Sequence, residues 1–161
     1  MTRTKQPPKI YQLKISLNYI KPEIWRRFQV RGDISLVKLH NVIQEIMGWQ
    51  NYHLYHFEVC GVEYADPVLV DDELEMGDAS RLTVENVFPR IRSKCGYVYD
   101  FGDDWLHKIV LEKTLEPVPG ERYPLCLEGA RSCPPEDCGG IGGYDELLQI
   151  LKNPDHEDYE Q

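Results

Sequence analysis

Tyr11, Leu13, Ile15, Leu17 and Tyr19 are apolar at every second position, with Lys14, Ser16 and Asn18 between them. That alternation is the pattern of a strand with one buried face. Ile24, Phe28 and Val30 share the parity of a partner strand beyond a Lys21-Pro22 turn, so residues 10–31 are predicted as an antiparallel hairpin. The period then changes. Leu36, Leu39, Ile43 and Ile46 follow three-to-four spacing behind Ser35, a good N-cap, and ahead of Gly48, a stop, which predicts a helix. Tyr55, Phe57 and Val59 alternate again, and Cys60-Gly61 turns the chain into a short return strand, Val62-Glu63-Tyr64.

Residues 66–80 hold six acids, a proline and a glycine with no sustained period, and are expected to form an exposed, flexible loop. Val84, Val87 and Phe88 line one helical turn before Pro89. Tyr97 to Phe101 and Trp105 to Leu111 then read as two strands around Gly102-Asp103-Asp104, with Trp105, His107, Ile109 and Leu111 on one face. Residues 116–143, rich in Pro and Gly, are expected to be loop. Tyr144 to Leu151 carries Leu147, Leu148 and Leu151 at helical spacing up to Asn153-Pro154, and the acidic tail 155–161 should fray. The fold class expected is α+β: one domain over residues 1–161, a mixed or antiparallel sheet packed on one main helix in β-grasp-like order, then a loop-rich C-terminal extension and a short helix.

At 161 residues the chain suffices for a core without disulfide or cofactor. Its 42% hydrophobic and 28% charged residues suit a globular protein. No apolar run reaches the roughly 18 residues of a membrane helix, and the opening residues lack the apolar core of a signal peptide. A cytoplasmic protein without a membrane partner is expected. Five cysteines without an export signal argue for thiols or a metal site over a disulfide framework.

The net charge of -9 opposes sequence-independent binding to a phosphate backbone. It is unevenly spread: residues 1–40 carry +7 and the remainder -16. A basic hairpin lying against an acidic body explains this, and Arg26-Arg27 is the place where a nucleic-acid contact would have to be sought.

Chemistry-bearing residues gather in two stretches. The first, Tyr99 to His107, places Asp100, Asp103, Asp104 and His107 within eight residues at a strand turn. Oxygen ligands with one imidazole can hold a divalent cation there, although Asp and Gly also suit a turn for local reasons. The second, Cys126 to Gly143, carries Cys126, Cys133 and Cys138 with Glu136, Asp137 and a glycine run. The thiol spacing matches structural zinc sites poorly, yet the three thiols with His107 would complete a tetrahedral set if the fold gathered them. The glycines fit neither a phosphate loop nor a dinucleotide fingerprint, and adjacent carboxylates repel anions. His53 and His56 are three apart in a predicted strand and would not share a face, so no two-histidine site is expected there.

Several segments together are similar to the plasmid pRiA4b ORF-3-like proteins, also called IS1096 element passenger proteins of resolvase (TnpR) type. They are Pro22-x-Ile24-Trp25-Arg26-Arg27, the Leu39 to Trp49 helix, His56-Phe57-Glu58, Tyr99-Asp100-Phe101-Gly102-Asp103-Asp104-Trp105-x-His107, and Cys126-x-x-Gly129-x-Arg131-x-Cys133-Pro134-Pro135-Glu136-Asp137-x-Gly139-Gly140. The resemblance implies a compact α+β domain with its polar motifs in the second half, and an association with mobile elements. It brings no mechanism. A serine recombinase needs an active-site serine among arginines and a basic DNA-binding domain, and this acidic chain has neither.

The expected function is a non-enzymatic cytoplasmic binding module for an unknown protein or a small cationic ligand. Its acidic site would be built from Tyr99, Asp100, Asp103, Asp104, Trp105, His107, Glu136 and Asp137, with Arg131 pairing internally to hold the loop. No cofactor is required by this reading; a divalent cation, zinc or another, is the candidate, with Cys126, Cys133, Cys138 and His107 as its sequence-level ligand set. The rivals are a metal-dependent hydrolase using the same carboxylates and His107, and a DNA accessory protein acting through Arg26 and Arg27.

Overall fold

In the computed structural model, which describes residues 4–160, the predicted hairpin is β1 (Ile10–Leu17) paired antiparallel with β2 (Trp25–Arg31). Leu13, Ile15, Leu17, Ile24, Phe28 and Val30 are buried as the alternation requires. Tyr19 departs from it. It lies in the connecting turn at positive φ and is exposed.

Helix α1 (Leu36–Met47) runs between the expected caps: the Ser35 side chain accepts from Lys38 N, and Gly48 closes the helix in a left-handed conformation. Besides its apolar stripe it buries His40 and Gln44. A two-residue turn then joins β3 (Tyr55–Val59) to β4 (Val62–Ala65).

The acidic segment 66–80 is largely turns, but its end is structured. β5 (Gly77–Asp78) pairs parallel with β4, and a 3-10 turn (Ala79–Arg81) buries Ala79. The single helical turn α2 (Val84–Val87) is closed by a capping box between Thr83 and Asn86. β6 (Lys94–Tyr99) and β7 (Trp105–Leu115) flank the Asp100–Asp104 turn, and Trp105, His107, Ile109 and Leu111 share the buried face as expected.

All eight strands form one sheet in the order β5-β4-β3-β6-β7-β1-β2-β8, antiparallel except at β4 and β5. β8 (Leu125–Ala130), within the segment expected to be loop, is an edge strand on β2. Most of it is exposed, so it lacks the apolar alternation by which a strand is recognised. Helix α3 (Gly140–Leu151) also begins earlier than its leucines indicated, taking in most of the glycine run. Beyond it the tail forms successive turns as far as residue 160.

One face of the sheet and α1 enclose the core. The opposite face is polar. Arg27 pairs there with Glu112 at 2.7 Å and with Glu128 at 2.7 Å, and Gln12 bridges Gln29 and Glu112. The basic hairpin is thus matched by acids of β7 and β8. No helix among the described residues is long and apolar enough to cross a membrane.

Candidate functional site

The chain brings three segments together: residues 50–54 after α1, the Asp100–Asp104 turn, and the loop from Cys133 to Gly139. The contacts joining them are specific. The Tyr99 hydroxyl donates to Glu136 Oε1 at 3.0 Å and accepts from Tyr52 N at 2.9 Å, while Gln50 N donates to the same Glu136 oxygen at 2.7 Å. Gly139 N donates to Asp103 Oδ2 at 3.2 Å. At Gly140, with φ of +70°, a Cβ would stand 2.7 Å from the Asp103 carbonyl oxygen, so only glycine lets α3 start this close to the turn.

At the centre lies His53. Its Nε2 is 2.7 Å from Asp137 Oδ1, 3.5 Å from Asp100 Oδ2 and 3.9 Å from Glu136 Oε2. The Asp100 and Glu136 side chains are only 8% and 10% exposed, whereas Asp137 reaches solvent. The other oxygens of the two buried carboxylates are committed. Asp100 Oδ1 accepts from Gly102 N and Asp103 N, as the local turn chemistry predicts, and Glu136 Oε1 holds Gln50 and Tyr99. His53 Nε2 and Glu136 Oε2 are buried atoms without a hydrogen-bond partner among the described residues. Asp137 does not satisfy the imidazole despite its 2.7 Å separation, because its oxygen lies off the axis of the ring nitrogen.

A buried polar network behind the pocket fixes the His53 loop. The Tyr97 hydroxyl meets His40 Nδ1 at 2.7 Å and accepts from Gln44 Nε2 at 3.0 Å. His40 Nε2 then reaches Asn51 Oδ1 at 2.6 Å, and Gln44 Oε1 accepts from Asn51 N at 2.8 Å. Burial pushes His40 down to about 4, which keeps the ring neutral and lets one nitrogen donate while the other accepts. Burial raises Tyr99 well above its ordinary value, and the neighbouring Glu136 adds to this, so its hydroxyl remains a donor.

Of the residues singled out in the sequence, Tyr99, Asp100, Glu136 and Asp137 meet around His53, and Asp103 ties the two motifs together. The others do not join them. Asp104 is exposed at the turn's end, and Trp105 is buried against Trp49 and Tyr144. His107 lies in the core, with Nδ1 3.2 Å from the Tyr97 carbonyl and Nε2 accepting from Trp49 Nε1 at 3.4 Å. Both nitrogens are spoken for, and burial pushes its pKa down to about 4. Arg131 donates to the Pro22 carbonyl in the hairpin turn.

The set Cys126, Cys133, Cys138 and His107 is not assembled. Cys126 is exposed on β8, Cys133 and Cys138 pack half-buried against the core, and burial raises both of those thiols, disfavouring thiolate. The one group of potential ligands gathered among the described residues is His53, Asp100 and Asp137. His53 escaped the sequence reading because its partners are remote in the chain and its three-residue spacing from His56 drew attention to the wrong pairing. The useful signal was its place in a polar segment between a helix stop and a strand.

Arg26 donates to the carbonyls of Ile46, Trp25 and Ala130, so the two arginines named for nucleic acid are both engaged internally.

The family model described as plasmid pRiA4b ORF-3-like protein matches residues 9–161. The chain belongs to the plasmid pRiA4b ORF-3-like family. The family resemblance seen in the sequence motifs thus holds across the pocket-forming segments. The chain is 40% identical over 151 residues to the uncharacterized protein y4hQ of Sinorhizobium fredii, covering 92% of this chain and 76% of that protein. Its fold is similar to the crystal structure of MM3350, a protein of unknown function from Methanosarcina mazei Go1. The TM-score is 0.85 at 36% identity, over 97% of this chain and 88% of that one.

Proposed function

We propose that this family member is a cytoplasmic binding module, not an enzyme, whose working site is the acidic pocket between the Asp100–Asp104 turn and the Glu136–Gly139 loop, and whose ligand is cationic. One observation carries the reading: Glu136 Oε2, on a side chain nine-tenths buried, has no hydrogen-bond donor among the described residues and lies 3.9 Å from His53 Nε2, the atom that Asp100 and Asp137 also approach. An unmatched buried carboxylate oxygen costs stability unless a positive group meets it. The hydrolase alternative lacks support from His107, which lies in the core with both nitrogens engaged. The DNA alternative lacks support from Arg26 and Arg27, which serve the sheet.

The test is thermal denaturation and calorimetric titration of the full chain with Mg2+, Ca2+, Zn2+ and spermidine. A binding cation at about one hundred times its Kd adds about 2.7 kcal/mol, or about 5–10 °C for a protein of this size. The response should shrink at least tenfold in Glu136→Gln, whose amide oxygen can still accept from Gln50 and Tyr99. No saturable response to any of the four probes at millimolar concentration overturns the proposal.

A further inference from the structure

We infer that this cluster is a mononuclear site for a borderline transition metal of the zinc class, held by His53 Nε2, Asp100 Oδ2 and Asp137 Oδ1, with Glu136 adding negative charge beside them. The inference rests on the cation-binding reading and narrows it.

The donor count comes first. Asp100 has one oxygen occupied by the N–H groups of Gly102 and Asp103, so it offers a single oxygen to an ion. With Asp137 Oδ1 and the imidazole this makes two oxygens and one nitrogen, all within 4.8 Å of one another. Calcium takes about six to eight oxygens, and magnesium prefers oxygen ligands and water. Three protein donors including an imidazole, with the fourth position left to water, suit zinc and its neighbours.

The separations bracket what an ion requires. Ligand atoms about 2.1 Å from a tetrahedral or octahedral ion sit about 3.0–3.4 Å from one another. Asp137 Oδ1 and Asp100 Oδ2 lie 2.7 and 3.5 Å from His53 Nε2, so small side-chain shifts bring both to that spacing. Direction decides between an ion and a plain ion pair. A protonated His53 paired to Asp137 would aim its N–H at the oxygen, which it does not do. An ion on the nitrogen's axis needs its other ligands off that axis, which is where Asp137 Oδ1 lies. The support around these ligands also resembles that of metal sites, where hydrogen bonds to the remaining ligand atoms fix their orientation. The backbone of the turn does this for Asp100, while Tyr99 and Gln50 fix Glu136 beside the set. Asp137, the exposed member, marks the side from which an ion enters.

The experiment is titration of the full chain with Co2+, read by visible ligand-field absorption, and with Zn2+ by competition and elemental analysis after gel filtration. One equivalent should bind, with Zn2+ displacing Co2+ and a hundredfold excess of Ca2+ displacing neither. His53→Gln should weaken binding at least tenfold. Asp137→Asn should do the same with the fold intact, because residue 137 is exposed and its φ of 55° is a conformation asparagine accepts. Asp104→Asn, outside the pocket, should bind as the parent does. If Ca2+, Mg2+ or spermidine binds with equal affinity to the parent and His53→Gln while Co2+ and Zn2+ do not, the transition-metal assignment falls and the cation-binding module stands. If no cation binds, both fall.

Discussion

Replacing Gly143 and Gly142 by alanine, one at a time, should move stability in opposite directions, although the two are adjacent in the first turns of α3. Both substitutions remove the same backbone freedom from the unfolded chain, so that contribution cancels between them. Side chains on a helix point back toward its N-terminus. From Gly143 a Cβ runs onto the carbonyl of Cys138, against the oxygen and 2.8 Å from the carbon, where contact begins near about 3.5 Å. The obstacle is backbone and cannot rotate aside. Overpacking of this kind costs about 3 kcal/mol, offset by about 1 kcal/mol of helix propensity, for a net loss near 2. At exposed Gly142 a Cβ meets nothing within 4 Å, so the same propensity adds about 1 kcal/mol. The two variants should differ by about 3 kcal/mol, or about 6–12 °C in Tm for a protein of this size. Urea and thermal denaturation of the metal-free protein measure it. Because Cys138 follows Asp137 directly, Gly143→Ala should also weaken Co2+ binding while Gly142→Ala leaves it unchanged. Shifts of the same sign and size in both variants would refute the close approach of α3 to the loop.

Two further expectations follow from the buried histidines and their network. His40 and His107 are held neutral, with pKa values lowered by burial from 6.5 to about 4, so below pH 6.5 the unfolded chain takes up protons that the native state refuses. Their stabilisation is complete above pH 6.5 and is lost as pH falls toward 4, at about 1.4 kcal/mol per pH unit for each histidine; urea midpoints at pH 7 and pH 5 should differ accordingly, and equal midpoints would contradict it. Tyr97→Phe removes the hydroxyl shared by His40 and Gln44 and should cost about 1–3 kcal/mol in urea unfolding. It should also weaken Co2+ binding, since those two residues anchor Asn51 beside His53, and unchanged affinity would show that the network does not position the imidazole.

Local rules were enough wherever neighbours in the chain do the work. Period two placed β1 to β4, period three-to-four with Ser35 and Gly48 bounded α1, and Asp100 made the turn its composition promised. β8 and the start of α3 escaped those rules. β8 is exposed and held by main-chain pairing to β2, which no side-chain pattern records, and Gly140 and Gly143 are glycine because other backbone passes within contact of them.

The pocket shows the same division more sharply. Carboxylates at positions 100, 136 and 137 stood out in the sequence as an acidic cluster, but the imidazole that meets them did not. His107 shares the strand parity of Trp105 and Ile109, and the packing of α1 on that face drew it into the core, where Trp49 and Tyr97 occupy its nitrogens. His53 reaches the acids because the pairing of β3 with β6 brings the end of α1 beside the 100–104 turn. Spacing along a chain governs which residues share a strand or a helix face. Convergence of distant loops is set by how the sheet orders its strands, and that order was visible only once the chain was folded.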